Sequence, residues 1–183
     1  MNTPTCCEIE TVCIRPMEEK DLARVVEIDQ MSFQIPWPER VYKYELHENP
    51  LSLLWVAEYP SPGRNNEVIG MVVVWLIVDE AHIATIAVHP DFRNQGIAQQ
   101  ILAFTLQEII KKGMLTTTLE VRASNQAAQR LYRRFKFQVV GVRPRYYRDN
   151  NEDALIMTVS HHDLCYANWL HRGDWHFQAE GAY

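Results

Sequence analysis

The strongest constraint on how this chain folds is a strand, a helix and a second strand in succession, with a turn at the start of each following helix. An apolar run ending Ile86-Ala87-Val88 gives way at His89-Pro90 to Arg93-Asn94-Gln95-Gly96-Ile97-Ala98, where a helix-period stretch from Ile97 to Lys112 begins. Ala98, Ile101, Leu102 and Ile109 give that helix a broad apolar face, and Gly113 is placed to end it. Thr117 to Arg122 then reads as a strand, because alternation sends Leu119 and Val121 one way and Glu120 and Arg122 the other. A strand–helix–strand connection within one sheet is right-handed and leaves its two strands parallel. Ligands in such sheets settle in the crevice beyond the carboxyl ends of adjacent parallel strands. Helices starting at Gly96 and Asn125 aim both N-termini into that crevice.

The rest of the pattern surrounds this crossover. Val12 to Arg15 reads as a short strand ended by Pro16. Asp21 to Met31 and Glu39 to His47 read as helices, separated at Pro36-Trp37-Pro38. Strands follow at Leu53–Glu58, Val68–Val78 and Ala81–Val88, joined by the turn-rich Pro60–Asn66 segment and by Asp79-Glu80. Such hairpin links make these three strands antiparallel. Beyond the crossover, Asn125 to Phe135 repeats Ala128, Leu131, Tyr132 and Phe135 at helical spacing. Strands at Phe137–Val142 and Asp153–Val159 then close the domain around an irregular Arg143–Asn151 connection. The expected class is α/β with a mixed sheet, antiparallel N-terminal strands leading into a parallel crossover. Residues 1–11 read as a flexible polar leader, 12–160 as one domain and 161–183 as an extension. The extension carries Trp169, Trp175 and Phe177 without a period, and reads either as a short helix or as partly disordered.

Composition narrows the function. At 183 residues, 47% hydrophobic and 22% charged, the chain has the make-up of a soluble globular protein able to bury a core. Its net charge of -5 gives no support to direct nucleic-acid binding. No run approaches the ~20 apolar residues of a membrane span, and the N-terminus lacks a secretory pattern. Cys6, Cys7, Cys13 and Cys165 have neither disulfide nor zinc spacing, so reduced thiols in the cytoplasm are expected. The seven histidines show no metal-ligand spacing. Basic residues gather at Arg122, Arg130, Arg133, Arg134, Lys136, Arg143, Arg145 and Arg148, either as a solvated face or with one or two neutralising ligand phosphates.

Several residues carry candidate chemistry. Gly96 removes a Cβ where backbone must approach a ligand, and the amides from Gln95 to Ala98 favour an anion at the helix start. Glu120 is positioned either as a proton acceptor or as a surface carboxylate paired with Arg122. Tyr132 lies on the apolar stripe, as a proton donor or as ordinary core. Asn125 suits a helix cap, which is compatible with binding a ligand. Tyr132 stands seven residues beyond Asn125, ~10 Å along nearly the same helix face.

These residues, in this order, resemble the GNAT N-acetyltransferases, whose cofactor motif is written Q/R-x-x-G-x-G/A. Leu119-Glu120-Val121-Arg122-Ala123-Ser124-Asn125, Ala127 to Tyr132, Arg143-Pro144-Arg145-Tyr146-Tyr147 and Glu152 to Met157 are similar to the members that acetylate ribosomal-protein N-termini. The likeness runs from Val12 to Val159, with Ala98 where many relatives carry a second glycine. It implies acetyl-CoA as co-substrate and no metal. It implies that the strand ending at Ile86, Ala87 and Val88 carries a bulge along the cofactor's pantetheine arm, with a backbone N–H at Val88 on the thioester carbonyl. Asn94, Gln95, Gly96, Ile97, Ala98 and Gln99 would hold the pyrophosphate, and Arg93 and Asn125 would also touch the cofactor. Glu120 would be the base and Tyr132 the acid, with Trp37, Tyr146 and Tyr147 lining the acceptor's entrance. The implied reaction is direct acetyl transfer, in a ternary complex, to the α-amine of a protein, most specifically the N-terminal alanine of a small-subunit ribosomal protein. No membrane partner is implied. An acetyltransferase for lysine side chains or small amines, and a non-catalytic acyl-CoA-binding module, are the alternatives.

Overall fold

A computed structural model describes residues 12–59, 66–162 and 164–173. The leader and most of the Pro60–Asn66 turn lie outside the described residues. Among the described residues seven strands form one sheet: β1 (Cys13–Pro16), β2 (Ser52–Tyr59), β3 (Glu67–Ile77), β4 (Glu80–Val88), β5 (Thr116–Arg122), β6 (Gln138–Tyr147) and β7 (Glu152–Ser160). Their spatial order is β1-β2-β3-β4-β5-β7-β6. Only β4 and β5 run parallel; each other neighbouring pair is antiparallel.

Among the described residues five α-helices cover the sheet: α1 (Leu22–Ser32), α2 (Glu39–His47), α3 (Ile97–Lys111), α4 (Gln126–Arg134) and α5 (Leu164–His171). Leu22, Val25 and Ile28 of α1 and Tyr42 of α2 bury against Val56, Met71 and Val73 on one sheet face. Ile101, Leu102, Leu106 and Ile109 of α3, with Tyr132 and Phe135 from the α4 stripe, bury against Val72, Val74, Ile83 and Leu119 on the other. Close approach of α3 to the sheet depends on Gly70. A Cβ built there meets Ile101 Cδ1 at 2.7 Å and the Ala87 carbonyl at 3.1 Å.

The crossover is as the spacing requires, but its two strands stay together only briefly. β4 pairs with β5 over four positions, Glu80 with Thr116 through Ile83 with Leu119. β3 then follows β4 to Val88, and β7 follows β5 to Arg122. A bulge marks the parting: Val74 opposes Ile83 and Val73 opposes Thr85, so Ala84 is the extra residue. Bulges bend and over-twist the strand that carries them. The sheet therefore opens into a wedge beyond Ile83 and Leu119.

Some boundaries differ from the sequence expectation. The β3–β4 turn is Val78–Asp79, one residue early, with Ile77 opposite Glu80 and Val78 at φ 59°. β6 continues through Arg143 to Tyr147, where an irregular connection was expected. Its ladder is broken rather than absent: Arg143 opposes Ala154 and Tyr147 opposes Glu152, four steps against two. The first part of the extension is ordered as α5. Tyr166 donates to the Phe135 carbonyl (3.0 Å), and the Trp169 ring meets Phe135 edge-on.

Candidate active site

The wedge opens a cleft of about 670 Å³. Its walls come from both faces of the sheet. Asp29, Phe33, Ile35 and Trp37 approach from α1 and the segment after it, and Asn125, Ala128 and Tyr132 from α4. Ile83 to Ile86 and Leu119 to Arg122 form the sides, and Tyr146 and Tyr147 the rim.

Glu120 faces the α1–α2 side. Only 8% of its side chain is exposed, and both oxygens have a neighbour: His82 Nε2 lies 3.1 Å from Oε2 and Arg143 Nη2 3.1 Å from Oε1. The expected alternative pairing with Arg122 does not occur. Arg122 instead donates to both oxygens of Asp149 (2.9 Å each) and to Glu152 (3.3 Å), and its guanidinium lies 3.9 Å from the Tyr147 ring centre. Arg122 thus anchors the β6–β7 turn that carries the rim tyrosines. Glu152 accepts from Ser124 N–H at 2.6 Å; its bonds to Ser124 and Asn150 hold its carboxyl down at about 2.

Tyr132 enters the same wedge from the opposite face, buried against Phe137. Burial pushes its phenol well above the ordinary 10.0, and the neighbouring Tyr147 phenol adds to the shift. Such a group stays protonated across the physiological range and can donate. Burial also pushes Tyr147 up to about 12. A strand carboxylate and a helix phenol reach one space only because β4 and β5 have parted between them.

The remaining residues singled out from sequence take varied places. Ile86 lines the cleft; Ala87 and Val88 are buried beyond its lining, and the Val88 carbonyl accepts from Arg93 Nε (3.0 Å). Arg93 also donates to Ser32 Oγ (3.0 Å), tying the glycine turn to α1. Asn94 (φ 62°) and Gly96 (φ 76°) both lie in the left-handed region. Alternation of this kind turns successive N–H groups toward one concavity, suited to an anion. Gln99 and Gln100 N–H both donate to the Gly96 carbonyl (3.1 Å each), and no acidic residue occupies the first turn of α3. A Cβ built on Gly96 meets nothing within 4 Å, so the turn is open to an approaching group. These features fit a pyrophosphate. Gln95 Nε2 donates to the Asp91 carbonyl (3.3 Å). Ile97 is buried, and Ala98 and Gln99 follow in the first turn. Asn125 caps α4, its Oδ1 accepting from Ala128 N–H at 3.0 Å. Trp37, Tyr146 and Tyr147 all line the cleft.

Sequence reasoning missed two cleft residues, His82 and Asp29, and the part played by a third residue beside Glu120. His82 stacks on Trp75 (5.6 Å between centres), which stacks on Trp37 (6.0 Å), so a column of three rings fixes the imidazole plane. Asp29 is buried and accepts from Trp37 N–H (2.6 Å) and the Tyr42 hydroxyl (2.8 Å). Burial raises its carboxyl against the lowering effect of those two bonds. Arg143, which touches Glu120, was recognised as one of a basic run and within the Arg143–Tyr147 motif, without a role of its own. Among the described residues no three His, Cys, Asp or Glu side chains gather as metal ligands do, and no helix is long and apolar enough to cross a membrane.

Comparison with known proteins agrees with this architecture. Residues 22–137 match the model of the acetyltransferase (GNAT) family. The chain belongs to that family. It is 36% identical over 147 residues to a Bacillus subtilis protein provisionally named ribosomal protein bS18-alanine N-acetyltransferase, covering 80% of this chain and 94% of the relative. The Escherichia coli K12 protein of the same name is 32% identical over 148 residues, covering 80% and 95%. The crystal structure of the E. coli ribosomal-protein-S18-alanine N-acetyltransferase superposes with a TM-score of 0.72, covering 82% of this chain and 94% of that one. This GNAT chain is therefore an N-acetyltransferase with the mixed-sheet fold of its family.

Proposed function

We propose that the enzyme transfers acetyl from acetyl-CoA to the N-terminal α-amine of a protein, the acceptor being the N-terminal alanine of ribosomal protein bS18 in the bacterial cytoplasm. The observation that carries the reading is the meeting of Glu120 and Tyr132 from opposite faces of the wedge. The names of the B. subtilis and E. coli relatives supply the acceptor.

Acetyl-CoA, when bound, supplies an activated thioester. The left-handed turn at Asn94 and Gly96, with the start of α3 through Gln99, holds the pyrophosphate. The free edge of β4 beyond Ala84 runs beside the pantetheine arm toward Val88, and Asn125 contacts it with the part of its side chain that the cap leaves over. On the other face, Trp37, Tyr146 and Tyr147 frame the entrance through which an extended N-terminus reaches Glu120. An α-amine titrates near ~8, so about a tenth is neutral at pH 7, whereas a lysine amine near ~10.4 is almost wholly charged. A carboxylate such as Glu120 suffices to take the proton of the first. Tyr132, kept protonated by burial, delivers a proton to the departing sulfur.

Two peptides test the reading, both starting Ala and containing one lysine, one with a free and one with a blocked α-amine. Mass spectrometry after incubation with acetyl-CoA should show a single acetyl group on the free terminus and none on the blocked peptide. Equal turnover of the two contradicts the α-amine assignment.

A further inference from the structure

We propose that Arg143 is a guard on Glu120, occupying the carboxylate oxygen that the acceptor's α-ammonium must reach and withdrawing as the acceptor enters. This inference rests on the proposed function and concerns how the same site admits its acceptor.

Glu120 is flanked on both oxygens, but its two neighbours differ in how firmly they are held. His82 faces Oε2 at 3.1 Å from the ring column with Trp75 and Trp37, and only 17% of its side chain is exposed. Trp75 is fixed in turn by its Nε1 donating to Glu45 (3.0 Å). That side of the carboxylate has no room to change. Arg143 faces Oε1 at 3.1 Å with 53% of its side chain exposed. It sits on β6, the outermost strand, at the last rung before the ladder with β7 breaks. The next residue, Pro144, has no N–H to pair, and Arg145 is left-handed at φ 52°. Arg143 therefore projects from an edge strand beside a break in its ladder, where Arg145 N–H donates to Asp153 Oδ1 (2.8 Å) in place of a ladder bond.

The guanidinium also has a second seat. Its Cζ lies 5.6 Å from the centre of the Tyr146 ring at the rim. A cation can leave the carboxylate and stay on that ring at modest cost. By contrast, Arg122 is held by Asp149 and Glu152 on the same turn, so the two arginines are not equivalent. An acceptor arrives mostly as an ammonium ion, and Arg143 already fills one lone-pair direction of Oε1 and repels a second cation there. The contact that Arg143 makes is one an ammonium would make, so acceptor binding competes with it. Removing the guard should strengthen acceptor binding, whereas removing a group that merely orients Glu120 should slow turnover.

The test uses the full-length chain, Arg143→Ala and Arg143→Lys. At saturating acetyl-CoA, Arg143→Ala should lower the KM for a free-α-amine alanine peptide about two- to fivefold, the size a half-exposed ion pair supports, without loss of kcat. Arg143→Lys, which keeps the charge, should stay near wild type. A second readout needs neither cofactor nor acceptor. A water-soluble carbodiimide with glycinamide should modify Glu120 faster in Arg143→Ala than in wild type, measured by peptide mass. An unchanged or raised KM, or a fallen kcat, in an enzyme that does acetylate the peptide overturns the guard while the proposed function stands. If wild type acetylates no α-amine peptide the proposed function fails, and the labelling rates decide the guard alone: faster labelling of Glu120 upholds it and equal labelling overturns it.

Discussion

Glu120 and Tyr132 owe their suitability to different physical causes. Glu120 is a strand residue whose alternation carries it away from the core, into a cleft where His82 and Arg143 flank it. Glu120→Gln keeps the shape and removes the proposed base. Calorimetry should find acetyl-CoA affinity unchanged while the acetylation rate falls by about 10²–10⁴. Tyr132→Phe should leave cofactor affinity similarly intact and slow turnover by about 10²-fold or more, because departing thiolate then lacks the proposed proton source. Since burial raises the Tyr132 phenol above 10.0, the protonated donor persists as pH rises to that value. The pH profile of kcat should therefore show no descending limb from this group below pH 10. The alternation around Glu120 and the helical stripe around Tyr132 were legible because both depend on near neighbours in sequence. His82 was not legible. It is a lone histidine in an apolar strand, and only the register of β4 with β5, setting His82 opposite Thr118, brings it toward Glu120.

At the scale of elements, one contact on each face of the sheet fixes how the helices sit. Asp29 on α1 holds the Trp37 segment by its N–H and α2 by Tyr42, so one buried carboxylate sets the wall proposed for the acceptor. Asp29→Ala leaves both donors unsatisfied and should cost about 1–3 kcal/mol in denaturant unfolding. It should also raise the peptide KM more than the acetyl-CoA KM. On the opposite face, Gly70→Ala sets a methyl 2.7 Å from Ile101 and 3.1 Å from backbone, a clash that should cost about 1–3 kcal/mol and lower Tm. Helix ends were readable to within a residue where a glycine marks them: α3 stops at Lys111 before Gly113, at φ 83°. The β6 extension was harder to read. Pro144 and the charged residues around it argue for a loop, while the continuing strand is enforced by Tyr147 pairing with Glu152 across the break.

At the scale of the molecule, two half-sheets share four rungs, and everything proposed for function follows from what happens past the fourth. α5 contributes at the opposite end. There His161 is buried 2.7 Å from Thr117 Oγ1, and burial holds it at about 4 against an ordinary 6.5. Its neutral form is the one the fold accepts. The associated stability is thus complete above pH 6.5 and declines as pH falls toward 4, where the unfolded chain binds a proton that the folded chain refuses. Thermal unfolding between pH 7 and 4 should show that loss, and His161→Gln should flatten it. The wedge itself follows from a bulge at Ala84, and its role is open to direct measurement by hydrogen–deuterium exchange with and without acetyl-CoA. Slower exchange in β4 from Ala84 to Val88, together with Asn94 to Gln99, is the result expected if the cofactor lies between the parted strands. Unchanged exchange in both segments at saturating acetyl-CoA would show that it does not.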